Sequence, residues 1–400
     1  MRIIALLLSI VLASCSRAFS AFPAESTSGI SPLAPGSPMA ASFKTLYIFG
    51  GGTDGIEPEA PLIKAGSELY GTTALGGSRD NGSVFAIDES GKERVLYGFE
   101  GGKDGSEPLA GLLELNGKLY GTTRSGGHGA SGGNGTVFEL NLAGTERVLH
   151  RFDGGTDGAY PYGGLIAVNG TLYGTTYAGG TGDNGTVFSV STSGKERIIY
   201  RFTNTPDGRG PLAGLIVASG ALYGTTAGGG RHTGGTVFEV STSGDERVLY
   251  SFKGGRDGEI PSAAVTVVNG VFYGTTVYGG TPGSANYGTV FEVNDSGKER
   301  VVYRFQGGTD GISPFGSVVA VGGMLYGTTY FGGYGSSGRG IGTIFEVSTS
   351  GKELVLHRFM GGADGGNPAA GLLVAGGAFY GTTSQAGLSG PNGDGTIFRI

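Results

Sequence analysis

The tetrapeptide Tyr-Gly-Thr-Thr occurs seven times, at Tyr70, Tyr120, Tyr173, Tyr223, Tyr273, Tyr326 and Tyr380, with intervals of 50, 53, 50, 50, 53 and 54 residues. A period near 50 marks a repeat architecture, in which each unit is one supersecondary element that buries its faces against its neighbours. Four hundred residues would otherwise suggest two or three domains. Here the repeat runs from about Phe43 to Ile400, so one closed domain is expected.

The unit reads as four short strands. In Pro108 to Phe152, Leu109 to Leu115 is an apolar first strand, and Asn116-Gly117 is the strongest short hairpin signal. Leu119 to Thr123 is a second strand. A Gly-rich loop, Gly126 to Asn134, a third strand, Thr136 to Leu140, an Ala143-Gly144 turn and a fourth strand, Glu146 to Phe152, follow. Four antiparallel strands per 50 residues make a propeller blade. Blades stacked face to face need apolar side chains on both faces, as Thr136-Val137-Phe138 supplies. Gly is 85 of 400 residues, and these glycines recur beside β-branched and aromatic runs, as tight turns and close-packed strands require. Gly121, inside a strand, is expected to lie under the neighbouring Tyr. The Glu-Arg pairs opening the fourth strands, such as Glu93-Arg94 and Glu146-Arg147, are expected to guard an exposed edge.

The chain opens on Phe43 to Phe49, which matches a fourth strand, and its last repeat stops after a third, Thr396 to Ile400. The fold expected is therefore all-β, a seven-bladed β-propeller with four antiparallel strands per blade, closed by the N-terminal strand joining the last blade. Approximate blades are 58–99, 108–152, 161–202, 211–252, 261–305, 314–359, and 368–400 with 43–49. A β-solenoid would have shorter coils and lack the hairpin turns. Gly-Gly-x-Asp-Gly is similar to calcium-binding nonapeptides but never runs in tandem.

The start of the chain carries a different signal. Met1-Arg2 precedes an apolar run, Ile3 to Ala13, too short to span a bilayer. Leu12-Ala13-Ser14-Cys15 resembles the lipobox of bacterial lipoproteins, which implies a signal over 1–14 and lipid attachment at Cys15. Signal cleavage at a nearby small residue such as Ser20 is the alternative. Ser16 in place of Asp implies, by the same resemblance, the outer membrane. Residues 15–41, rich in Ser, Pro and Ala, read as a flexible tether. Cys15 is the one cysteine, so no internal disulfide can form.

Leu-Tyr-Gly-Thr-Thr-x-x-Gly-Gly, then Gly-Thr-Val-Phe-Glu-Val, then Leu-Tyr-x-Phe-x-Gly-Gly-x-Asp-Gly-x-x-Pro resembles the GloVer tandem repeat of bacterial surface proteins, over nearly all of 43–400. The resemblance implies an exported, anchored protein and brings no enzymatic activity with it. Kelch repeats are similar more loosely, through the Gly-Gly after the second strand, but the expected Trp is missing.

The long loops, between second and third strands and between blades, emerge on one face, where function usually resides. Asp54, Asp104, Asp157, Asp207, Asp257, Asp310 and Asp364 repeat there, each before Gly, and read as turn residues. One Asp per loop lacks the oxygens calcium takes. Departures from the repeat are the candidates for ligand binding. Tyr160, Tyr162, Tyr177, Tyr278, Tyr287, Phe315, Tyr330, Phe331 and Tyr334 crowd blades three, five and six; Arg79, Arg124, His128, Arg231 and His232 take other blades. Together they could stack on and hydrogen-bond a glycan or peptide. His150 and His357 replace Tyr in fourth strands and read as packing residues. No His pair has metal-ligand spacing, and no nucleophile elbow, Walker loop or dinucleotide fingerprint occurs. Asp80, Asp183, Asp295 and Asp394 are scattered carboxylates with no glycosidase spacing. With net charge −6 and no basic stripe, nucleic acid is not an expected partner.

The function expected is a surface-anchored, monomeric module that binds an extracellular glycan or protein through the long-loop face. It needs no catalytic residue, metal or cofactor, and meets the membrane through its lipid alone. A polysaccharide hydrolase or lyase, and a structural spacer without ligand, are the alternatives.

Overall fold

The structure, a computed structural model, describes residues 42–128, 132–281, 286–334, 340–385 and 394–400. The signal, the tether and Cys15 lie outside the described residues. The fold is a seven-bladed β-propeller. Seven sheets of four antiparallel strands make the blades, and no α-helix occurs among the described residues.

In blade two the strands are Leu113–Leu115, Lys118–Thr123, Thr136–Asn141 and Glu146–Arg151, running from the axis outward. Asn116 and Gly117 both have positive φ, 54° and 75°, which matches the twist of a two-residue hairpin. The first strand is shorter than its apolar run suggests. Leu109 to Leu112 leave the sheet and are buried at the inner end of the blade instead. There the Ala110 carbonyl accepts the Thr72 hydroxyl of blade one at 3.2 Å rather than a ladder partner.

The same bond recurs around the ring. The first Thr of each Tyr-Gly-Thr-Thr donates to a carbonyl of the next blade: Thr122 to Gly163, Thr175 to Ala213, Thr225 to Ala263, Thr275 to Gly316, Thr328 to Ala370, and Thr382 to Ala60. The last of these crosses from blade seven to blade one. The second Thr instead bonds within its blade, as Thr123 Oγ1 to Thr136 Oγ1 at 2.8 Å. A circuit of edge-to-face rings runs in parallel. Phe99 meets Phe138 across one seam at 5.2 Å, and Phe49 meets Phe85 across the closing seam at 5.3 Å. Such pairs add about 0.5–1.5 kcal/mol each beyond their burial.

Gly121 is covered by Phe138 of the third strand, not by the adjacent Tyr. A Cβ there would stand 2.5 Å from Phe138 Cζ and 3.1 Å from Leu112. Tyr120 itself is buried against the next blade, its hydroxyl 3.0 Å from Glu139.

Closure follows the expected scheme. Strand Lys44–Ile48 pairs antiparallel with Thr396–Arg399, Lys44 opposite Arg399 and Ile48 opposite Thr396. Phe49, Leu62, Phe85, Tyr380 and Ile397 then share one buried cluster, so both ends of the chain bury the same seam.

Candidate ligand-binding face

Three positions in each unit converge on the axis at the long-loop face: the residues before and after the loop proline, and the residue after Tyr-Gly-Thr-Thr. The residues before proline are Glu57, Glu107, Tyr160, Gly210, Ile260, Ser313 and Asn367, and all have φ between 55° and 59°. Six are not glycine, and left-handed conformation costs such residues about 1–2 kcal/mol each. Two backbone bonds impose it. The Tyr160 amide donates to Asn134 of the preceding blade at 2.7 Å, and its carbonyl accepts from Tyr177 at 3.0 Å. Backbone strain of this kind concentrates at functional sites.

The other two positions fill the axis. Ala74, Leu109, Tyr162, Leu212, Val277, Phe315, Tyr330 and Ala369, drawn from all seven blades, form one buried cluster, with Tyr177, Ala227, Ile260 and Tyr278 packed against it. Beneath it the inner ends approach so closely that only Ala or Gly fits. A Cβ on Gly163 would stand 2.7 Å from the Ala213 carbonyl oxygen, and Ala263 packs on Ala370. The channel mouth is thus closed by an aromatic and aliphatic plug.

This placement divides the sequence candidates. Tyr162, Phe315 and Tyr330 are 3%, 4% and 5% exposed and belong to the plug, so they cannot stack on a ligand as they stand. Tyr177, Tyr278 and Tyr287 are half-buried. Tyr160, Phe331 and Tyr334 are 37%, 43% and 45% exposed. Arg79, Arg231 and His232 point into solvent, and exposed His128 sits 2.9 Å from Asp153. No continuous aromatic arc forms among the described residues.

The densest group is at blades two and three. Arg124 Nε donates to the Tyr162 hydroxyl at 2.7 Å and its Nη1 bonds Glu107. The guanidinium lies 5.5 Å from the Tyr162 ring and 5.9 Å from the Tyr160 ring, and Tyr162 meets Tyr177 edge-on at 5.6 Å. Burial opposes the Arg124 charge, but Tyr162 and Glu107 outweigh it and raise the pKa. Burial also pushes the Tyr162 hydroxyl up to about 12. The result is an oriented charge beside an exposed ring. Sequence reading missed Glu107 and the axial Glu59, Ser262 and Ser384. The signal lay in the two positions flanking proline and the one after Tyr-Gly-Thr-Thr, which change from unit to unit while their neighbours repeat.

The outer seams carry a second repeated arrangement. Each loop Asp accepts a backbone N–H four residues upstream, as Asp104 from Glu100 at 2.8 Å, and a side-chain donor seven residues upstream. That donor is Tyr47, Tyr97, Tyr200, Tyr250 or Tyr303, and near Asp157 and Asp364 it is His150 or His357. The Glu of the next fourth strand completes the cluster. These glutamates are not edge guards. Glu93, Glu146, Glu196, Glu246, Glu299 and Glu353 each hold one oxygen away from solvent without a hydrogen-bond partner. Burial, then the neighbouring Asp, pushes Glu93, Glu146, Glu246 and Glu353 up to about 7. At the seventh seam Phe43 stands in the Glu position and stacks on His357 at 3.8 Å.

The sequence matches the Gloeobacter/Verrucomicrobia repeat over residues 36–154, 128–341 and 283–400. The chain belongs to this repeat family. No curated protein matches it. Among solved structures it is similar to a Bacteroides uniformis protein assigned as a 6-phosphogluconolactonase, at 16% identity and TM-score 0.50, over 74% of this chain and 83% of that one. A quinohemoprotein alcohol dehydrogenase from Pseudomonas putida is similar at 10% identity and TM-score 0.50, over 90% and 76%. A xyloglucanase from Xanthomonas campestris shares 13% identity at TM-score 0.49, over 85% of this chain and 53% of that one. At identities this low the first two share the propeller fold and nothing of their activities carries over.

Proposed function

We propose that this repeat propeller is an extracytoplasmic binding module, tethered through Cys15, that takes a glycan or protein segment at the axial mouth of its long-loop face. The supporting observation is the loss of repeat symmetry at that mouth. Units that share Tyr-Gly-Thr-Thr, the Phe over its Gly and the loop Asp differ where three strained or axial positions meet, and there they place Arg124, fixed by Glu107, beside the exposed ring of Tyr160. An aromatic face next to a fixed donor and acceptor suits a polyhydroxylated sugar ring. Phe331 and Tyr334 extend the exposed aromatic area on blade six.

The test is binding of the purified chain to panels of bacterial-surface and extracellular glycans, with immobilised peptides alongside. Tyr160→Ala and Phe331→Ala, each exposed and therefore expected to fold, should weaken the interaction at least about tenfold, as hot-spot aromatics do. Wild-type affinity in both variants would remove the axial mouth as the binding surface. Turnover of a bound polysaccharide, abolished by changing one loop carboxylate, would favour the hydrolase or lyase alternative.

A further inference from the structure

Two of the seven outer seams carry histidine where five carry tyrosine, and the two differ in their third member. At the seam of blades two and three, His150 Nε2 lies 3.2 Å from Asp157 Oδ2, and the Glu196 carboxylate is near both. The ligand atoms of all three lie within 4.8 Å of one another. At the seam of blades six and seven, Phe43 fills the third place and caps His357 with its ring. The substitution changes the chemistry of the seam. A tyrosine hydroxyl donates to the Asp and leaves a closed hydrogen bond. An imidazole donates to the Asp in the same way, but it can give up that proton and turn the nitrogen lone pair to a metal, and with two carboxylates it then makes an N/O/O set of the kind that zinc and its first-row neighbours take.

We propose that His150, Asp157 and Glu196 bind one divalent first-row transition ion, zinc foremost, with water completing its coordination. Three observations favour this site over an idle acidic cluster. Glu196 Oε1, like the matching oxygen of five other seam glutamates, is shut off from solvent and has no hydrogen-bond partner, but here it faces an imidazole as well as a carboxylate. The imidazole is held by its edge contact with Phe152 at 4.8 Å, and Asp157 by the Asp153 amide at 2.8 Å, so two ligands are pre-oriented. His150 and Asp157 keep 17% and 21% of their side chains exposed, which leaves a path for the ion. Ligands bound about 2.0–2.2 Å from one ion stand about 3–3.5 Å apart, so only the Glu196 side chain has to close in. The ion would join the outer strand of blade two to that of blade three, in a ring whose other seams rely on hydrogen bonds. Calcium, which takes six to eight oxygens, fits this three-residue set poorly.

The chelator-treated full chain would be titrated with zinc by calorimetry, and with cobalt by visible absorption. One ion per chain is expected, with a zinc-dependent rise in melting temperature. His150→Tyr installs the residue that five other seams already use, so it should fold. It and Glu196→Gln should each weaken zinc at least about tenfold and remove the thermal shift. His357→Tyr should change neither. Absence of saturable one-to-one binding, retention of affinity in His150→Tyr, or its loss in His357→Tyr would each overturn the proposal.

Discussion

One hydrogen at Gly121 decides whether a blade can pack. Phe138 lies where a β-carbon would project, and six equivalent Phe residues lie over the other six glycines. Gly121→Ala should therefore overpack a buried face and cost about 1–3 kcal/mol, read from urea denaturation. A change within about 0.5 kcal/mol would mean the ring can move aside. Thr122→Val removes a buried inter-blade hydroxyl and leaves the Gly163 carbonyl unpaired, with an expected loss of about 1–3 kcal/mol in the same assay. At this scale the sequence told that Gly121 required a close neighbour but not which one. Tyr120 is adjacent in the chain, whereas Phe138 reaches the glycine across the ladder, and cross-strand register is not written in a single strand. The axial residues were legible in part. Tyr162, Phe315 and Tyr330 stood out as departures from the repeat, yet whether a departure faces solvent or the axis depends on how seven inner ends converge.

Among elements, the outer strand differs most from its sequence reading. Glu-Arg at its start has the composition of a guarded edge, and the Arg is exposed as such a role would require. The Glu instead turns into the seam, toward the loop Asp of the preceding blade. This has a consequence for pH. The folded chain holds protons on Glu93, Glu146, Glu246 and Glu353 up to about pH 7, whereas an unfolded glutamate releases its proton near 4.5. Their contribution is full below pH 4.5 and is lost as pH rises through 7. Melting temperature should thus fall from pH 5 to pH 8, and Glu246→Gln should flatten that fall. Each group is half exposed, so solvent screening limits its share to about 1 kcal/mol or less. A profile that rises over this range would contradict the seam assignment. The first strands show the opposite lesson. Their apolar runs predicted seven residues of strand, and only three pair, since the rest of the run serves the axis.

For the molecule as a whole, the count of blades and the manner of closure were legible, because both follow from counting a repeat and noting that it begins and ends out of phase. The convergence of His150, Asp157 and Glu196 was not, since it needs a loop and two blades to be placed together. Closure is also what holds the axial mouth in one geometry. Without the strand Lys44–Ile48, the last blade would present an open edge and the seam lined by Phe49 and Ile397 would lose its cover.

Lys44 and Arg399 are exposed and directly opposite in that closing pair, within reach of a disulfide. The decisive measurement is therefore on Lys44→Cys with Arg399→Cys, in a Cys15→Ser background that leaves no other thiol. On mild oxidation the folded chain should form an intramolecular bond between positions 44 and 399 and gain about 2–4 kcal/mol in stability. Two free thiols in the folded protein, or a bond formed only between molecules, would contradict a ring closed by its own first strand.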